Sequence, residues 1–88
     1  MIVEALDKEW NVNDCTYKQR RELHALNAKV WWEGKQDVGA YYELLDKVSE
    51  IAGLGENDFE DMRMSDIDIV LQTIFIEYLG LSKKAIGD

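Results

Sequence analysis

The sequence predicts an all-α bundle of three main helices, with a short helical turn between the second and the last. Three observations lead there. No proline occurs among the 88 residues, so the strongest helix breaker is missing throughout. A capping residue, an amphipathic run and a glycine follow one another three times, so local signals and the global pattern agree. A hydrophobic content of 47% beside 32% charged residues supplies a core and is too apolar for a disordered chain. At this length residues 1–88 make one domain.

Taken in order, residues 1–15 form an N-terminal segment expected to be extended or irregular. Val3, Leu6 and Trp10 would also suit a helix face, while "WNVND" alternates like an edge strand before a turn. Trp10 is expected to pack onto the bundle. Thr16 with Gln19 makes a capping box for a first helix, Tyr17 to Glu33, stopped by Gly34. Asp37 caps a second, Val38 to Ala52, which Gly53 ends, with Leu54 placed for a Schellman contact. Asn57 and Glu60 open a short helical turn to about Met62. Ser65 and Asp68 make the box for the last helix, Asp66 to Leu79, with Gly80 as its stop and Leu81 beyond. Residues 83–88 read as a frayed polar tail.

Helical phase sorts the faces. In the second helix Val38, Tyr41, Tyr42, Leu44, Leu45, Val48, Ile51 and Ala52 gather on one side, opposite Glu43, Asp46, Lys47 and Glu50. The first helix has a narrow stripe of Leu23, Leu26 and Val30 and a second one of Tyr17, His24 and Trp31, bordered by Arg20 and Arg21. The last helix carries a broad apolar arc of Ile67, Val70, Leu71, Ile74, Phe75, Tyr78 and Leu79, wide enough to meet two helices. Ile69 and Ile76 fall beyond that arc. Either the N-terminal segment covers them or a partner chain does.

Chemistry is poorly represented. The run "ENDFEDMRMSDID" is acidic, yet no register supplies both the glycine and the terminal glutamate of a calcium loop. These acids suit helix N-termini. His24 is the lone histidine, which excludes the usual zinc sets, and a packed ring is expected of it. Cys15, just before a helix start, reads as a half-buried structural thiol. No phosphate loop or nucleophilic triad is present, so neither an enzyme nor a cofactor is expected.

Partner binding is better represented. Trp31 and Trp32 point about 100° apart on a helix, so one enters the core and the other stays near the surface. With Arg20 and Arg21 they are candidate interface anchors, as are Ile69 and Ile76. The formal charge is −8, and residues 37–82 hold eleven acidic side chains against two basic ones. That argues against nucleic acid as partner and for a basic protein surface. No apolar run reaches the ~20 residues of a membrane span. The start "MIVEALDKEW" lacks a signal-peptide layout, and a single cysteine suits a reducing compartment. A cytoplasmic protein is expected.

The stretches "TYKQRRELHALNAKVWW", "YYELLDKVSEIAGL" and "DIVLQTIFIEYLGL" together resemble small phage proteins of the tail-assembly-chaperone kind. The resemblance covers roughly residues 16–82 and rests on helix-packing patterns. It implies a helical, non-enzymatic protein in the host cytoplasm. Such a protein would bind a tape-measure-like client through an apolar groove and could form a homo-oligomer. The alternative reading is an acidic regulator that occupies a basic host surface, as DNA mimics do.

Overall fold

The computed structural model describes residues 1–32 and 35–80. The chain begins with a β-hairpin, β1 (Ile2–Ala5) and β2 (Lys8–Asn11). Helix α1 (Tyr17–Val30) follows, then a two-residue ladder of β3 (Trp31–Trp32) with β4 (Lys35–Gln36). Helix α2 (Val38–Ala52), a 3-10 turn (Glu56–Phe59) and helix α3 (Met64–Leu79) complete the order. The fold is therefore α+β, and the all-α expectation is overturned by the antiparallel hairpin.

The hairpin forms because alternation gives it one apolar face. Val3, Ala5, Trp10 and Val12 point inward and are buried, with Val3 directly opposite Trp10. Its two-residue turn, Leu6–Asp7, has φ of 55° and 58°, the left-handed pair of a type I′ connection. Trp10 closes the unit by donating its indole N–H to the Ala5 carbonyl at 3.2 Å, and its ring lies 6.0 Å from that of Phe59 in the 3-10 turn. The N-terminal segment is extended, but as a paired sheet that supplies part of the core.

Cap chemistry sets most helix ends. The Thr16–Gln19 box is closed in both directions, at 2.8 and 3.1 Å. The Asp37 carboxylate accepts the Ala40 N–H at 3.1 Å. At Gly53 the Leu54 N–H reaches the Ser49 carbonyl and the Gly53 N–H reaches Glu50, the bond pair of a Schellman end. Gly53 has φ +80°, and a Cβ there would meet the Asn13 side chain at 2.9 Å. Gly80, at φ +72°, ends α3.

Three expectations about ends do not hold. Helix α1 stops at Val30, because Trp31 leaves helical geometry to pair with Gln36 and the Asp37 N–H takes the Val30 carbonyl at 2.8 Å. The expected end at Glu33 and stop at Gly34 fall outside the described residues. Helix α3 starts two residues early, after Arg63, and the Ser65–Asp68 box is not made. The 3-10 turn begins at Glu56, where the Asp58 carboxylate accepts the Gly55 N–H at 2.7 Å. Leu81 and the 83–88 tail lie outside the described residues.

Helix α3 packs against α1, α2 and β1 together. Val70, Leu71, Ile74, Tyr78 and Leu79 are buried, and Ile67 and Phe75 are half-buried. Leu23 and Val30 of α1 and Val48 of α2 complete the centre. Two residues assigned to the inner face of α2, Val38 and Tyr42, are exposed instead, because helical phase turns both away from the buried side centred on Leu44 and Val48. His24 is exposed rather than packed, together with Tyr17, Ala25 and Ala28 on its side of α1. An ion pair between Lys47 and Glu22 at 3.2 Å links α1 and α2 at the surface.

Ile74→Ala is expected to destabilise the domain by about 2–5 kcal/mol, since its side chain is wholly buried at the junction. Gly53→Ala is expected to cost about 1–2 kcal/mol through the left-handed backbone alone, with the Asn13 contact adding to it. Urea unfolding of both variants checks these values.

Candidate functional site

Two depressions compete on the surface. The larger, ≈ 570 Å³, runs over Ala28, Lys29, Gly39 and Glu43 and contains no large apolar side chain. The smaller, ≈ 400 Å³, lies where α1, β4, α2 and α3 converge. Asn27, Val30 and Trp31 come from the end of α1 and from β3, Tyr41, Leu44 and Leu45 from α2, and Gln72, Phe75 and Ile76 from α3, with Gln36 closing the rim. None of these ten is charged, in a chain where 32% of residues are. An apolar cleft with a few amide groups is the usual build of a binding site, so this one is the candidate.

The local structure explains how it opens. Because α1 ends at Val30, Trp31 departs from the helical phase and stands 61% exposed at the cleft mouth. On α3, Ile76 lies just outside the buried arc and is 43% exposed. Across the cleft, the Gln72 amide donates to the Tyr41 hydroxyl, tying α3 to α2. The Tyr41 ring meets that of Tyr42 edge-on, with centroids 5.3 Å apart.

Of the six residues picked from the sequence as partner anchors, Trp31 and Ile76 are brought together here. Ile69 shares the ridge of Ile76 two helical turns earlier, but lies outside the cleft and is 45% exposed. The hairpin packs against α3 and still covers neither isoleucine. The side chain of Trp32 lies outside the described residues. Arg20 is occupied elsewhere: its guanidinium donates to the Leu79 carbonyl at 2.7 Å, capping the C-terminus of α3. The Arg21 guanidinium lies 5.9 Å from the Tyr17 ring centroid. Both arginines sit about 16 Å along α1 from Trp31, so they do not share its cleft.

Sequence reasoning missed the aromatic–amide pair Tyr41 and Gln72. The doublet Tyr41–Tyr42 was a usable signal, because a tyrosine tip suits a rim that is apolar on one side and wet on the other.

The polar groups elsewhere are structural. Burial, helped by Asp14, pushes the Cys15 thiol up, so the helix start does not make it a thiolate. Its sulfur lies 3.8 Å from the Tyr78 carbonyl. Burial, reinforced by Cys15 and Asp14, pushes the Tyr78 hydroxyl up to about 12, and that hydroxyl donates to the Asn13 carbonyl. Glu56, Asp58, Glu60 and Asp61 are exposed, and Asp58 is engaged in its cap. Among the described residues no group of three or more histidine, cysteine or acidic side chains is placed to hold a metal ion. No helix among them is long and apolar enough to cross a membrane.

Compared with protein-family models, with characterised proteins and with solved structures, the chain finds no match.

The Tyr78 proton carries a pH dependence. Its folded value of about 12 lies above the unfolded 10, so the stabilisation is complete below pH 10 and is lost as pH rises through 12. Stability measured by denaturant is expected to fall over that window. Tyr78→Phe is expected to flatten the fall while costing about 1 kcal/mol at neutral pH for the missing hydrogen bond.

Proposed function

We propose that this chain is a non-enzymatic protein-binding module that takes an apolar segment of a client into the cleft between Trp31 and Ile76. The observation that supports this most is the presence of those two side chains at one cleft. They come from different elements, are 61% and 43% exposed, and line one cleft that carries no charged side chain among the described residues. Exposed aromatic and branched apolar side chains around a pocket are the usual anchors of an interface. A tail assembly chaperone or scaffold acting on a tape-measure-like client in the host cytoplasm is the particular form we propose, on the strength of the packing patterns "YYELLDKV" and "YLGL".

Ile76→Asn and Trp31→Ala remove the anchors without altering charge. Each is expected to change stability by no more than about 0.5 kcal/mol, because both side chains are surface-exposed. Co-expression with a tape-measure protein of a phage tail is expected to give a complex that both variants lose. Failure of the two proteins to co-purify removes the tail-chaperone form. A complex indifferent to both substitutions removes the cleft as the docking site.

A further inference from the structure

The exposed side of α3 is unlike that of the other two helices. Its exposed residues are Met64, Ser65, Ile69, Gln72 and Ile76, and none of them is charged. On α1 the exposed positions include Lys18, Arg21 and Lys29, and on α2 they include Glu43, Asp46 and Glu50. A helix face turned to water normally carries such charge. Ser65, Ile69, Gln72 and Ile76 follow one another at intervals of four, three and four, the spacing of a seam that packs on another helix.

The seam is close to a palindrome. Ile69 and Ile76 lie equally far from a midpoint between Gln72 and Thr73. A two-fold axis through that point sets Ile69 of each copy on Ile76 of the other. It also brings the two Gln72 side chains together. Each amide spends one N–H on Tyr41, which leaves its second N–H and its oxygen to pair with its mate. Charge selects the direction. Asp66 and Asp68 flank the N-terminal half of the seam, while Glu77, in the other half, is turned about 110° away from it. Parallel copies would set Asp66 beside Asp66 and Asp68 beside Asp68, whereas antiparallel copies carry these pairs to opposite ends.

We infer that two copies of this chain pair antiparallel through α3 about a two-fold axis at Gln72, each copy's Ile69 closing the other's cleft beside Ile76 and Trp31. A seam of about 17 Å along one helix buries less than the ~800 Å² per partner of a standard interface, so the dimer is weak. Its dissociation constant is expected between ~10 μM and ~1 mM. The pairing needs no client. It does occupy the face proposed above for one, so, on that docking reading, the monomer is the form that binds and the dimer keeps the seam out of water.

The test is sedimentation equilibrium of the whole chain, with amide spectra recorded between ~10 μM and ~1 mM. A monomer–dimer equilibrium is expected, with concentration-dependent shifts at Ile69, Gln72, Ile76 and Trp31. Ile69→Glu is expected to weaken it at least about tenfold, because a carboxylate is set on an isoleucine. Adding Ile76→Lys to Ile69→Glu is expected to recover several-fold, since only an antiparallel pair sets each new glutamate on a new lysine. Val38→Glu, at an exposed apolar side chain outside the seam, is expected to change nothing. Unaltered shifts at the buried Val70 and Ile74 check that each variant is folded.

A chain that stays monomeric at ~1 mM overturns the dimer, as do concentration shifts confined to other surfaces. Equal losses from Val38→Glu and Ile69→Glu overturn the seam as its site. No recovery on adding Ile76→Lys overturns the antiparallel pairing. These measurements contain this chain alone, so the client reading stands or falls separately.

Discussion

The structure depends on the excess apolar surface of α3. A helix with five buried and two half-buried apolar positions between Ile67 and Leu79 has too wide an arc for one neighbour. Two helices and a sheet are recruited: α1 and α2 on one side, β1 on another. The hairpin is thus the third cover that the arc demands, and its inward residues Val3, Ala5, Trp10 and Val12 join the same core as Val70 and Ile74. In a domain of this size each such side chain contributes roughly 1.5–3 kcal/mol on burial, a sizeable share of net stability. The ends of α3 follow from the same packing. Its last carbonyls are met by Gly80 in the left-handed region and by the Arg20 guanidinium.

What was legible in the sequence is what is decided locally. Thr16, Asp37, Gly53 and Gly80 act within one turn of themselves, and all four do what their chemistry implies. The hairpin was illegible because Leu6–Asp7 carries none of the Asn-Gly chemistry that marks a type I′ turn. Burial of the strands' inner face imposes that backbone. The early end of α1 was hidden for a related reason: Trp31 and Trp32 continue an apolar run, and only pairing with Lys35 and Gln36 draws them out of the helix. The unused Ser65 box shows the limit of cap reading, since α3 takes its register from packing and begins at Met64.

The candidate site was half legible. Ile69 and Ile76 stood out as surplus to the arc, and the doubled tryptophan as too much for one core. Which of them would share a cleft was not written in any local pattern. Trp31 and Ile76 are 45 positions apart and line one cleft only because the end of α1 and the C-terminal half of α3 converge over α2. The arginines mislead for the converse reason. Arg20 has the composition of an anchor, but the exposed carbonyls at the end of α3 are the nearer acceptor.

The clasp between the hairpin exit and α3 bears on how the molecule assembles. Tyr78 reaches Asn13 across 65 residues of chain, Cys15 reaches Tyr78 across 63, and Arg20 reaches Leu79 across 59. Joining points so distant in sequence means closing most of the polymer into a ring before any reward is collected. A mostly helical chain would otherwise fold fast on local contacts alone. During translation, moreover, the earlier elements leave the ribosome without the helix that covers them. Until α3 follows, their inward faces lack that cover.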